Sequence, residues 1–502
     1  MPTYRQPTVK IPYHNKSLPM TNFRNMSQGR ISNNAVNNFM IQSVYPNSVS
    51  MAYNIDFDTI VGSGAVRQGT TPLGSVVASG KSPLGLAEFV GLNGTPNVLL
   101  SVFPGASTAT VYYYNGSWNA SGLTTLNNNN NCRFANLGGL SFVVNGADAM
   151  KSSVDGNTWG TTNCITAGIT PSLIYRYAGV LLAAGNSGNK DRVYFSSVVD
   201  LTLSPTLTWN TADVGGDWID INPDDGDNIT GFSDVGGSVL VFKNNGFYRL
   251  DSITKASDPS LIYDKGAVSQ EAITKCQGSV YFFNGNAIYT TTGGYPSQIS
   301  RFGVQDFIDA IPQANWKNVC LGADAFNVYA SIGEVTINGL TNYIVLKFST
   351  LDQSWTVRYY PVQYMFFSPY TSTDGRLLRG ADNSGYVQTM DSGMTDNNTS
   401  IFYSLETQEM EFGDRASTNV ITDKIAVFTR NGKESRLEWS GGDKDYQDLP
   451  CDLSQPVTIL ENLNIQGRYL KFRWSGVTSG SSPVFEGLEF PDVDDQGVNN
   501  DL

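Results

Sequence analysis

Histidine, the usual general base near neutral pH, occurs once in 502 residues, as His14. A Ser-His-Asp triad, a His general base or a His-rich metal site would rest on that one residue near the start of the chain. The sequence therefore argues against this class of catalysis. G-x-S-x-G, G-x-x-x-x-G-K-[ST] and H-E-x-x-H are all absent. The five cysteines (Cys132, Cys164, Cys276, Cys320, Cys451) are odd in number, widely spaced and without a C-x-x-C pair. They read as free thiols of a protein made in a reducing cytoplasm. Two carboxylates suffice to hydrolyse a glycosidic bond, but with 45 acidic residues a suitable pair arises by chance and marks no site. The turn Asn222-Pro223-Asp224-Asp225-Gly226-Asp227-Asn228 concentrates carboxylates that could hold Ca²⁺. It lacks the D-x-D-x-D-G spacing and closing Glu of an EF-hand, so a solvated turn is expected there. No catalytic, cofactor-binding or metal-ligating residue is assigned, and no cofactor is expected.

Charge narrows the partners. With 32 Lys+Arg against 45 Asp+Glu the net charge is −13, which opposes tight binding of a nucleic-acid backbone, a process driven by basic side chains replacing counterions. A channel that lets DNA slide, however, should repel it weakly and not grip it. Ser153-Val154-Asp155-Gly156-Asn157-Thr158-Trp159 resembles the Asp-box hairpin of sialidase-type propellers, one residue short between Asp and Gly. That hairpin is a structural turn, so the likeness argues for a propeller and not for catalysis.

The elements that would position any site are strands. Charged residues are 15% of the chain where about 25% is usual, which disfavours helical solenoids and coiled coils. Fifty glycines and 12% aromatics suit tight turns and pleated surfaces. No apolar run long enough for a membrane helix occurs, and Met1-Pro2-Thr3-Tyr4-Arg5-Gln6 leads into polar sequence, so neither membrane insertion nor a signal peptide is expected. Gly237-Ser238-Val239-Leu240-Val241-Phe242, Asn244-Asn245-Gly246 and Phe247-Tyr248-Arg249-Leu250 are echoed by Gly278-Ser279-Val280-Tyr281-Phe282-Phe283, Asn284-Gly285-Asn286 and Ala287-Ile288-Tyr289-Thr290. A period near 40 residues is that of a propeller blade. The chain is read as all-β: an extended N-terminal arm over 1–60, a β-propeller of six or seven blades over 61–398, and a C-terminal β-sandwich-like domain with an acidic tail over 399–502. The arm, too polar to fold alone, is either disordered or ordered against another surface, such as a neighbouring subunit. Arg24 and Arg30 are its candidate inter-subunit contacts.

Several phrases resemble the tail hub or nozzle proteins of short-tailed bacteriophages, including those called packaged-DNA stabilisation proteins. They are Asn22-Phe23-Arg24-Asn25 and Gln28-Gly29-Arg30-Ile31-Ser32-Asn33; Asp191-Arg192-Val193-Tyr194-Phe195-Ser196; Asp264-Lys265-Gly266-Ala267-Val268; and Gly467-Arg468-Tyr469-Leu470-Lys471-Phe472-Arg473-Trp474. The chain departs from that group in its Asn127–Asn131 run and in a propeller of weak basic content. The resemblance implies a structural, non-enzymatic virion protein, made in the host cytoplasm and placed in the virion tail. It would form a ring, commonly a hexamer, below the portal and adaptor, extending the DNA channel, retaining the genome and anchoring fibres, spikes or a needle. The alternative is a propeller that binds or cleaves glycans, of depolymerase or sialidase type.

Overall fold

The computed structural model describes residues 16–18, 21–23, 26, 28, 30–31 and 48–495, apart from 61, 92–96, 167, 200–205, 338–339, 373–374, 411–419, 423, 442–444, 464, 468–469, 479 and 491–492. The chain divides into two compact units: Gln68–Ser400, and Met1–Arg67 with Ile401–Leu502.

Gln68–Ser400 is a seven-bladed β-propeller. Each blade is a four-stranded antiparallel arrangement, and the innermost strands run Gly85–Phe89, Arg133–Leu137, Leu173–Tyr177, Ile229–Val235, Ile273–Cys276, Cys320–Ala323 and Tyr364–Ser372 for blades 1 to 7. Each innermost strand neighbours the next, and that of blade 7 meets that of blade 1, which closes the ring. The repeat seen in the sequence is the second and third strands of blades 4 and 5: Ser238–Lys243 with Gly246–Leu250, and Ser279–Phe283 with Ile288–Thr291. Val239 to Phe242 and Val280 to Phe283 are all buried, because a blade is covered on both faces by its neighbours.

Local turn chemistry fixes each hairpin at the head of the blade. The first and second strands of blades 2 to 5 are joined by Gly138-Gly139, Ala178-Gly179, Gly236-Gly237 and Gln277-Gly278, and all eight residues have positive φ. This is the two-residue turn whose twist matches paired strands, and glycine at its second position avoids the cost of φ > 0.

Closure uses both ends of the unit. In blade 7 the strands Tyr364–Ser372, Gly375–Asp382 and Val387–Thr389 are completed by Thr71–Pro72, so the outermost strand comes from the start of the propeller. The Thr70 hydroxyl donates to Gln388 Oε1 at 2.6 Å within this seam, and Gln388 Nε2 donates to the buried Asp382 carboxylate.

The second unit is a β-sandwich. One sheet runs in the order Val457–Leu460, Ile425–Arg430, Val484–Phe490, Gly64–Val66, Ile55–Asp56, with Thr21–Phe23 also paired to Val484–Phe490. Besides a small sheet of Lys16–Leu18, Val493–Asp495, Val420–Thr422 and Ile465–Gly467, the other contains Val49–Tyr53, Ile401–Thr407, Leu470–Thr478, Ser435–Gly441 and Gln447–Leu449. Phe57, Tyr403, Leu405, Phe472, Trp474, Phe485 and Leu488 fill the core between them.

The expected division is corrected here. Where described, residues 1–60 are not a separate arm: Lys16–Leu18, Thr21–Phe23 and Val49–Tyr53 pair with strands of the C-terminal region of their own chain, and Ile55–Asp56 pairs with Gly64–Val66, which itself pairs with Val484–Phe490. Short strands that could not bury a core alone gain one by joining these sheets. The propeller accordingly begins at Gln68 and ends at Ser400, not at 61 and 398.

Candidate functional site

The innermost strands carry the side chains that meet at the propeller axis. There a cavity of about 240 Å³ is lined by Arg133, Tyr175, Gln270, Glu271, Phe366 and Phe367 among others. Arg133 opens the innermost strand of blade 2, and Glu271 lies two residues before that of blade 5. Blades 2 and 5 stand on opposite sides of a seven-membered ring, so a contact between these residues spans the axis. Arg133 donates from Nε to Glu271 Oε1 at 2.8 Å and from Nη2 to Oε2 at 2.9 Å, and its Nη1 donates to the Ser172 carbonyl at 2.8 Å. The Glu271 carbonyl accepts the Leu321 amide at 2.7 Å, which ties blade 6 to the same point.

The Glu271 side chain is 8% exposed. Burial alone would push its pKa up; the Arg133 guanidinium outweighs this and holds the carboxyl below its usual range. Both oxygens are engaged by one fork, a geometry that binds strongly and fixes the carboxylate's orientation. Nearby, the Gln270 amide acts as a piece of strand, accepting the Phe232 N–H at 2.7 Å and donating to the Phe232 carbonyl at 3.1 Å. Tyr175 donates to Asp234 at 2.6 Å, and Lys275 meets the other oxygen of Asp234 at 2.6 Å. Burial and the Asp234 charge push the Tyr175 hydroxyl up, away from acid–base use at neutral pH. The charged and polar groups that line the axial cavity are thus engaged in contacts between blades.

The acidic turn has an internal cation. Lys243, 1% exposed, places Nζ at 2.7 Å from Asp191 Oδ1, 2.8 Å from both oxygens of Asp225 and 3.1 Å from the Asn222 carbonyl. Asp227 accepts from Asn244 Nδ2 and the Asn245 amide, both at 2.7 Å. The turn is solvent-exposed, as expected, and is also stapled to blade 4 by an ammonium surrounded by oxygen atoms.

The Asp155 hairpin is structural as expected. Asp155 Oδ1 accepts the Asn157 and Thr158 amides at 2.8 and 2.7 Å, Ser153 Oγ accepts the Gly156 amide at 2.8 Å, and Trp159 Nε1 donates to the Gly156 carbonyl at 3.1 Å. It connects the third and fourth strands of blade 2. All five cysteines are free thiols. Burial raises Cys132 to about 12, and Cys276 and Cys451 to about 11, so thiolate chemistry is suppressed at these positions.

Arg24 and His14 lie outside the described residues. Arg30 has a side chain 6% exposed, and its backbone bridges Val49 within the sandwich unit. The axial residues were missed from sequence because innermost strands mix polar and small side chains, as in Arg133-Phe134-Ala135-Asn136-Leu137. A usable signal was present: each x-Gly turn of blades 2 to 5 ends the innermost strand, so the turns at Gly139, Gly179, Gly237 and Gly278 locate the strands from which the axial cavity is built.

No family model matches the chain, and no curated protein matches it by sequence. Solved structures similar to it include YCF48 from Cyanidioschyzon merolae, at 10% identity and a TM-score of 0.39, covering 64% of this chain and 98% of that one. A chain of the mitotic checkpoint complex is similar at 11% identity and a TM-score of 0.39, covering 65% of this chain and 95% of its own. The extracellular domain of the putative one component system BT4673 from B. thetaiotaomicron is similar at 9% identity and a TM-score of 0.40, covering 83% of this chain and 59% of that one.

Proposed function

We propose that this chain is a structural, non-enzymatic subunit of the tail of a short-tailed bacteriophage: a hub or nozzle ring, commonly sixfold, seated below the portal and adaptor. In that place it extends the DNA channel, helps retain the packaged genome and anchors fibres, spikes or a needle. The observation that carries the reading is how the charged groups are used. Arg133, Glu271, Lys243 and Asp191 could each have served chemistry, yet each is consumed in a contact that locks blades or loops together. The phrases shared with hub and nozzle proteins support the assignment to that ring.

The width of the axis bears on the path of DNA. A cavity of about 240 Å³ has room for about eight waters or one small molecule, far less than a duplex needs. A duplex would pass through the lumen of the assembled ring, along outer walls of the subunits, and not through the propeller of any one of them. A net charge of −13 per subunit, multiplied sixfold, suits a wall along which a polyanion slides.

Native mass spectrometry of the full chain across a range of concentrations, alone and with portal and adaptor, tests the reading. A closed ring, formed alone or on the portal–adaptor complex, is the expected species. A chain that stays monomeric throughout and ignores both partners would remove the proposal.

A further inference from the structure

Between blades 4 and 5 three tyrosines meet at the outer side of the propeller. Tyr263 ends the outermost strand of blade 4, Tyr289 lies on the third strand of blade 5, and Tyr295 sits on the loop that follows it. Tyr263 and Tyr289 have ring centroids 5.8 Å apart, and Tyr263 and Tyr295 meet edge to face at 4.9 Å. The inner two are rooted in the aromatic core shared by the blades, where Tyr289 stacks on Phe282 at 5.5 Å and Tyr263 lies 6.5 Å from Phe247. Tyr295 alone is turned outward, 77% exposed.

The loop that presents Tyr295 is held in place. Thr291 Oγ1 accepts the Gly293 amide at 3.0 Å and donates to the Gly294 carbonyl at 2.7 Å, while Arg249 Nη1 of blade 4 reaches the Gly293 carbonyl at 3.4 Å. Gly293 takes φ +100, and a Cβ there would stand 3.0 Å from Val235 of blade 4, so only glycine lets the loop lie this close. An exposed aromatic ring on a fixed loop loses little entropy when a ligand settles on it.

We propose that Tyr295, with Tyr263 and Tyr289 behind it, is a binding subsite for a neutral hexopyranose unit of a polysaccharide. A pyranose presents an apolar C–H face, which stacks on an open aromatic ring, and a rim of hydroxyls, which need donors and acceptors at its edge. The rim groups are at hand: the Tyr263 hydroxyl, whose ionisation is suppressed by burial and by Tyr289, Tyr295 and Asp264, and the exposed Asp264 carboxylate and Lys265 ammonium in sequence with it. Two other ligand classes fit less well. Asp264 opposes a phosphate backbone, and the nearby Arg249 guanidinium is already paired with Asp251 at 3.0 Å. A proline-rich peptide wants parallel aromatic ridges, whereas these rings meet edge to face. The site needs no ring of subunits and stands or falls apart from the assembly proposed above.

Affinity electrophoresis of the full chain through native gels cast with dextran, with galactan or with a bacterial O-antigen polysaccharide tests the subsite. Retardation is expected in at least one gel. Tyr295→Ala should migrate there as it does without polysaccharide, Tyr295→Phe should keep at least part of the retardation, and Leu351→Ala, which removes a 69% exposed side chain on blade 6, should behave as wild type. Thermal melting of Tyr295→Ala should match wild type, since the ring it removes is exposed. Unretarded migration in all three gels, or retardation that Tyr295→Ala preserves, would overturn the proposal.

Discussion

Lys243 shows how this protein spends its charged side chains. An ammonium 1% exposed is tolerated only because four oxygen contacts from Asp191, Asp225 and Asn222 replace its water. Lys243→Met keeps much of the stem and removes the charge, leaving two carboxylates to face one another. A loss of about 2 kcal/mol in urea unfolding is expected, and an unchanged midpoint would contradict the account of the turn. Asp391 makes the same point across blades 6 and 7, accepting from Arg358 Nη1 and the Tyr329 hydroxyl, both at 2.6 Å. Burial would raise its pKa, but Arg358 and Lys347 together outweigh this and bring it from 3.8 to about 2. A carboxyl depressed in the folded state stabilises fully above its unfolded value, and that contribution fades as pH falls from about 4 towards 2. Asp391→Asn should be less stable at pH 7 and show a shallower loss between pH 4 and 2, measured by thermal melts across that window. The carboxylates of the 222–228 turn were legible in the sequence, whereas their partner was not, since Lys243 sits in an apolar strand whose neighbours gave no sign of it.

Elements are set by turns at the head of each blade and by a seam at the end of the ring. Gly237 has φ +85 and open space where a Cβ would stand, so Gly237→Ala isolates backbone cost from crowding. It should destabilise by about 1 kcal/mol, seen as a lower melting temperature with unchanged spectra. At the seam, Thr70→Val removes the donor to Gln388 Oε1 inside blade 7 and should cost roughly 1–2 kcal/mol. Limited proteolysis should then cut first near residue 70; cleavage spread evenly over the chain would argue against a closing strand. Second and third strands were visible in the sequence because apolar runs and Asn/Gly turns alternate there. The seam was not, because Thr71-Pro72 is too short and too polar to read as a strand, and its pairing with Val387–Thr389 is set by ring closure and not by local pattern. The N-terminal strands were hidden for the same reason: three-residue pieces such as Thr21-Asn22-Phe23 owe their conformation to partners more than 450 residues away.

At the scale of the whole molecule, seven blades close into a ring, and Arg133 with Glu271 is the brace across its axis. Glu271→Leu should weaken folding without altering any assembly surface, because the pair lies inside the propeller. Propeller architecture was open to the sequence through its 40-residue rhythm; the axis was not, since its residues come from seven distant strands. Arg30, 6% exposed in the sandwich, now tests folding before it tests assembly. The most direct measurement is quantitative mass spectrometry of particles purified from the culture that produces the chain, scaled to the portal. The account predicts the chain in those particles at the copy number of a closed ring, about six. Particles that contain portal and lack this chain would contradict it.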